Sequence, residues 1–128
     1  MAKYKKKLDA DIRCPLEYGL TIFGGKSGEY PQKLYKALMN SQTVLTVWDD
    51  ARLVGLIRVL DDSEMLAQIH YVLVHPEYQG QGIAGRMVEY IKEKYKNFMY
   101  LELMPEDKNN VPFYEKHGFH VMENGAAM

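Results

Sequence analysis

The stretch from Val72 to Arg86, Val-Leu-Val-His-Pro-Glu-Tyr-Gln-Gly-Gln-Gly-Ile-Ala-Gly-Arg, restricts the fold more than any other part of the chain. A hydrophobic run ends at His75-Pro76, a short polar loop follows, and Gly80, Gly82 and Gly85 then fall within six residues. A helix is predicted next. Ile83, Met87, Val88, Ile91 and Tyr95 recur at helical spacing, with Arg86, Glu89, Lys92, Glu93 and Lys96 on the opposite face. A strand that passes through glycines into a helix N-terminus makes a cradle of backbone N–H groups, suited to a phosphate or pyrophosphate. Glycine is required there because side chains would hold the anion off the backbone.

Two other glycine-loop chemistries fit poorly. Gly80-x-Gly82-x-x-Gly85 matches the dinucleotide fingerprint, and Glu102 lies at about the distance of its ribose-binding acid. In that motif, however, the first glycine follows the strand almost directly. Here His75-Pro76-Glu77-Tyr78-Gln79 intervenes, and Pro76 cannot continue a central strand. Only 43 residues remain after Gly85, too few for a doubly wound sheet. A nucleoside-triphosphate loop would need Gly-Lys-Ser/Thr, which is absent.

Gln79-Gly80-Gln81-Gly82-Ile83-Ala84 resembles the Gln/Arg-x-x-Gly-x-Gly/Ala signature of the GNAT superfamily of N-acetyltransferases. Pro112-Phe113-Tyr114-Glu115-Lys116-His117-Gly118-Phe119, about thirty residues downstream, resembles the Phe-Tyr-x-Lys-x-Gly-Phe segment that closes the same fold. The similarity covers residues 42–123. It implies that the loop binds the pyrophosphate of coenzyme A through Gln79, Gly80, Gln81, Gly82, Ile83, Ala84, Gly85 and Arg86. It also implies that Val72, Leu73 and Val74 offer main-chain groups to the pantetheine arm, and that Phe113 and Asn109 lie against the cofactor. The chain departs from the pattern at Asp107, where many relatives carry asparagine seven residues before the tyrosine; Asn109 and Asn110 stand close enough to substitute.

The order of elements agrees with that resemblance. A short strand is expected over 3–7, helices over 15–24 and 31–40, and strands over 43–48, 53–60 and 66–74. The 82–96 helix, a strand over 98–103, a helix around 109–117 and a final strand from Phe119 follow. This is one α+β domain: a mixed sheet built as an antiparallel meander followed by a strand–helix–strand unit. The crossover makes strands 66–74 and 98–103 parallel neighbours, and the resemblance implies that these two central strands splay apart. Residues 53–60 are apolar on both faces, as a central strand requires.

A chain of 128 residues with 47% hydrophobic and 26% charged residues can bury one core. The net charge of −1 points to no nucleic-acid partner overall, and the Lys3, Lys5, Lys6, Lys7 cluster reads as a solvated terminus or edge strand. No apolar run reaches membrane-spanning length, and no signal peptide opens the chain. The single cysteine, Cys14, cannot form an internal disulfide. A cytoplasmic location is expected; a homodimer is admissible but nothing in the chain specifies one.

Acetyl transfer to an amine needs a neutral amine, a polarised thioester and a protonated leaving thiolate, and calls for no metal. Tyr114 matches the family tyrosine that protonates the thiolate. Two residues are candidates for the base. His70 resembles the base histidine of the serotonin-type acetyltransferases and has a suitable ordinary pKa. Alternation would put it on the face of Gln68 and Val72. Glu102 stands twelve residues before Tyr114, a spacing like that of the ribosomal-protein acetyltransferases, and is a costly residue for an apolar strand. A water relay is a third option. Phe23, Tyr30, Tyr35 and Trp48 are candidates for an acceptor pocket. The function expected is acetyl-CoA-dependent N-acetylation of a primary amine, a small molecule rather than a protein, in a ternary complex. A CoA-binding sensor without turnover is the alternative.

Overall fold

The computed structural model describes residues 3–5 and 29–128. The expected helix over 15–24, Cys14 and Phe23 lie outside the described residues. A five-stranded sheet has the order β1-β2-β3-β4-β5, formed by Lys3–Lys5, Thr43–Asp49, Arg52–Asp61, Leu66–Val74 and Tyr100–Leu103. The first four strands pair antiparallel and β5 joins β4 in parallel. Helix α1 (Pro31–Met39) precedes β2, α2 (Ile83–Lys94) crosses from β4 to β5, and α3 (Val111–Lys116) follows β5.

Among the described residues, α1 packs on one sheet face and α2, joined by Phe113 and Tyr114 of α3, on the other. On one face Leu34 and Leu38 of α1 pack with Val44, Trp48, Leu53 and Leu56. On the other, Ile83, Met87, Val88 and Ile91 of α2, with Tyr95, cover Leu45, Val47, Ile57, Val59, Ala67 and Ile69. The helical stripe read in the sequence is therefore the buried stripe, each large side chain contributing about 1.5–3 kcal/mol. Tyr95 ties the end of α2 to the sheet: its hydroxyl donates to Asp61 Oδ2 at 2.5 Å and lies 2.7 Å from Thr43 Oγ1. Among the described residues no helix is long and apolar enough to cross a membrane.

Two bulges set which side chains face which layer. Val54 has no partner between the pairs Val47↔Gly55 and Trp48↔Leu53. His70 has none between Val59↔Ile69 and Arg58↔Tyr71. One extra residue reverses the side-chain alternation beyond it. Ile69 and Val72 consequently both pack toward α2, while Tyr71 and Leu73 pack toward α1. The expectation that His70 and Val72 share a face is corrected by this bulge.

The parallel register runs Leu66↔Tyr100 to Ile69↔Leu103 and stops, although β4 continues to Val74. Pro105 follows two residues later, and a residue without an N–H cannot extend the ladder. The strands thus part at His70, as the splayed arrangement requires. The strand expected from Phe119 does not form. Phe119 N–H instead bonds back to Tyr114 O at 3.1 Å, its ring meets Tyr114 at 6.0 Å, and residues 120–128 are exposed around a turn. Phe119 is thus anchored on Tyr114, and the tail adds no strand to β5.

Candidate active site

The glycine loop is an open, braced cradle. Gly80 and Gly82 adopt φ of +82° and +80°, and a Cβ on either would meet no atom within 4 Å. Gly82 is the N-cap of α2, no side chain caps it, and no acidic residue sits in the first turn. The first helical bond runs from Arg86 N to Gly82 O at 3.1 Å, so the N–H groups ahead of it have no partner within the helix. These donors and the positive end of a twelve-residue helix face open space, which fits a pyrophosphate.

The approach to the cradle is held from behind. Pro76–Tyr78 form a 3-10 turn, and His75 Nδ1 accepts from Glu77 N at 3.1 Å. Arg52 pairs with Glu77 at 2.8 Å, and Tyr78 donates its hydroxyl to Asp49. The turn that excludes the dinucleotide reading is therefore clamped to the β2–β3 hairpin. The side chains of several predicted cofactor residues serve the frame. Gln79 Nε2 donates to Val74 O at 3.2 Å, and Ile83 is buried in the core. Gly85 makes room for a neighbour: a Cβ there would stand 3.1 Å from His117 Nε2 of α3. Gln81 and Arg86 are exposed at the loop and the first turn of α2.

Beyond Ile69, strand β4 pairs with β3 alone among the described strands, and on its other edge Val74 O accepts from Gln79 Nε2. Val72, Leu73 and Val74 pair with Ile57, Leu56 and Gly55, and β5 has already ended. Backbone groups on the other edge need a partner, and an extended ligand can take the place of a strand there.

A cleft of about 470 Å³ lies along β5, α3 and the C-terminal tail, and Gln68, Glu102 and Tyr114 are among the residues that line it. Tyr114 packs against Phe113 at 5.0 Å, edge to face, and burial raises its pKa above the ordinary value near 10. Its hydroxyl makes no hydrogen bond with the described residues, leaving a protonated phenol for a ligand. Glu102 is exposed and pairs in register with Gln68, opposite in facing to Leu101 and Leu103, which pack on the α2 core.

His70 is not among the residues lining this cleft. Arg58 Nη1 lies 2.7 Å from His70 Nδ1. A guanidinium only donates, so Nδ1 accepts and the neutral ring carries its proton on Nε2. Burial first, and the charge of Arg58 second, hold the His70 pKa below its ordinary 6.5. Asp107, the departure from the family pattern, accepts from Asn109 N at 2.9 Å and caps the 3-10 turn Lys108–Asn110 that leads into α3. Asn109 and Asn110 are exposed on that turn. Of the aromatic candidates for an acceptor pocket, Trp48 is core, Tyr35 is half-buried and Tyr30 is exposed. Sequence reasoning passed over Arg58, although a charge inside the apolar run Leu53–Leu60 is the same costly choice that singled out Glu102.

Residues 16–119 match the model of the acetyltransferase (GNAT) family. The chain belongs to that family. An uncharacterized N-acetyltransferase from the lysA 3′ region of Bacillus methanolicus is 34% identical over 117 residues, 91% of this chain and 92% of that protein. The uncharacterized N-acetyltransferase ycf52-like of Prochlorococcus marinus is 28% identical over 99 residues, 73% of this chain; the match spans 55% of that relative's length. Among solved structures, a GNAT-family acetyltransferase protein from Streptococcus pneumoniae superposes with a TM-score of 0.82 at 24% identity, over 100% of this chain and 96% of that one. That likeness establishes the fold. The family match begins at residue 16, well before the region over which the sequence motifs are legible.

Proposed function

We propose that this chain is an acetyl-CoA-dependent N-acetyltransferase that acetylates a primary amine of a small molecule by direct attack in a ternary complex. The observation that carries the reading is the Tyr114 hydroxyl, partly buried, its pKa raised further by that burial, and bonded to none of the described residues, in a cleft that Glu102 also lines. The cofactor supplies an acetyl group activated as a thioester. The N–H groups at Gly80–Gly85 would hold its pyrophosphate, and the free edge of Val72–Val74 its extended arm.

The residues of the chain divide the proton work. Tyr114 gives its phenolic proton to the departing sulfur, so that a neutral thiol leaves as the carbon–sulfur bond breaks. Glu102 accepts the proton that the attacking nitrogen loses on becoming an amide, directly or through a water. His70 is a poor acceptor in this arrangement. Its Nδ1 is taken by Arg58 and its Nε2 already bears hydrogen. To act as a base it would have to surrender the Arg58 bond. This favours Glu102, whereas the sequence alone leaned slightly to His70.

The test follows thiol release from acetyl-CoA across an amine panel, then takes the best amine through a pH series with parent, Glu102→Gln and His70→Gln proteins. The rise of kcat/KM with pH should lose an enzyme-borne limb in Glu102→Gln and keep it in His70→Gln. The reverse pattern assigns the base to His70. CoA binding without turnover on any amine would instead identify a sensor.

A further inference from the structure

Arg58 stands out among the charged side chains for what it lacks. It lies on β3 in register with Tyr71 and Val44, on the sheet face that carries α1, and is half-buried. Its Nε donates to Ser41 Oγ at 2.8 Å and its Nη1 to His70 Nδ1 at 2.7 Å. The guanidinium carbon lies 5.9 Å from the Tyr71 ring centre. Among the described residues no carboxylate lies within ion-pair distance and Nη2 makes no hydrogen bond. Arg52, by contrast, has Glu77 at 2.8 Å, and Lys92 and Lys96 have Glu89 and Glu93.

A partly desolvated cation is costly without a counter-charge. The cost is visible in Arg58, whose pKa burial lowers from its ordinary value. Its neighbours do not supply that charge. Ser41 is a hydroxyl that passes its own hydrogen to Ala37 O at 2.7 Å, and His70 is a neutral ring locked as an Nε2–H donor. Arg58 Nη2 and His70 Nε2–H therefore remain as donors with no hydrogen-bond acceptor among the described residues, and the one carboxylate acting on the His70 ring, that of Glu106, forms no ion pair with Arg58. These donors lie where β4 bulges and parts from β5, on the face toward which Gln68 and Glu102 also point.

We infer that Arg58, with the Nε2–H of His70, is the anion subsite of the acetyl acceptor, so that the acceptor is a small amine carrying a carboxylate. The inference rests on the acetyltransferase reading for its substrate role. A planar carboxylate matches the two-pronged donor edge of a guanidinium. An acceptor with an amine at one end and an acid at the other matches a face that presents Glu102 at one place and Arg58 at another. His70 then serves as a specificity residue whose tautomer Arg58 fixes.

The experiment compares ω-amino acids of graded length with their carboxamides and with an aminoalkyl phosphate, in parent, Arg58→Lys and Arg58→Gln proteins. The parent should prefer the acid over its amide by about ten- to a hundredfold in kcat/KM, the scale of a charge-assisted contact. That ratio should fall toward one in Arg58→Gln, chiefly through KM for the amine, with the KM for acetyl-CoA moved less than about twofold. Arg58→Lys should keep part of the preference. A parent that uses acid and amide alike overturns the subsite, whatever the variants do; so does a preference that survives Arg58→Gln. Preference for the phosphate over the acid would reject the carboxylate assignment. A thermal-shift titration with the same amino acids, without acetyl-CoA, separates the two claims. Arg58-dependent stabilisation with no turnover would sink the acetyltransferase reading and leave the subsite standing; turnover without acid preference would do the opposite.

Discussion

The two halves of β4 are one continuous strand under two regimes. From Ala67 to Ile69 it is flanked on both sides, by β3 and by β5, and Ala67 and Ile69 are buried under α2. From His70 to Val74 it keeps β3 and loses β5, and its side chains are only half-buried or exposed. Both halves have the same apolar character in sequence, so the difference is not one of propensity. It arises from where β5 stops and where the bulge at His70 falls. The contrast teaches that one strand can be fully paired at one end and leave an edge outside the sheet at the other. The paired half supplies stability, and the unpaired half supplies backbone groups, a bulge and the Arg58–His70 pair.

Substitutions on either side test that division. The largest effect is expected on the functional side. Tyr114→Phe should lower kcat by about 10²–10⁴-fold where proton transfer limits the rate. Acetyl-CoA affinity should stay within a few-fold. Its melting temperature should also hold, because the hydroxyl bonds to none of the described residues. A variant with unchanged kcat would mean that solvent protonates the thiolate or that product release hides the step.

On the structural side, Ile69→Ala should cost about 2–5 kcal/mol in denaturant unfolding, whereas Val72→Ala, three residues along and half-buried, should cost clearly less. Equal losses would erase the distinction between the halves. At the cradle, Gly82→Asp should weaken CoA binding at least tenfold in a calorimetric titration while circular dichroism stays native. The new carboxylate would point into the open space ahead of α2 and repel phosphate, and its backbone would carry the strain of a left-handed side-chain residue. Parent-like affinity would place the pyrophosphate elsewhere.

The smallest effect concerns the clamp at the paired end, where Tyr95 holds Asp61, the partner of Ala67. Burial, followed by the bond to Asp61, pushes the Tyr95 pKa from 10.0 to about 12. A raised folded-state value favours the protonated phenol, so this contribution is complete below the unfolded value and fades as pH climbs from 10.0 to about 12. Tyr95→Phe should lose about 1 kcal/mol near neutrality and flatten that alkaline decline. CoA binding should not change.

Much of this was legible without coordinates. The stripe Ile83–Tyr95 specified the α2 face because helical spacing places those side chains over one another whatever they pack on. The glycine loop and the Phe113-Tyr114 segment specified the family because two motifs in the right order are far more specific than either alone. Strand β4 was bounded as Leu66–Val74 by the turns on either side. What tertiary structure alone decided was pairing and its interruptions. A bulge at His70 changes which face Val72 takes, and no periodicity announces one extra residue. The tail after Phe119 looked like a strand by composition, yet a strand exists only where an edge accepts it, and Phe119 was drawn onto Tyr114 instead. The choice between His70 and Glu102 likewise depends on a third residue, Arg58, twelve positions upstream of His70. Local pattern fixes what a segment can form; which lone pairs and edges remain open depends on neighbours that only the folded chain brings together.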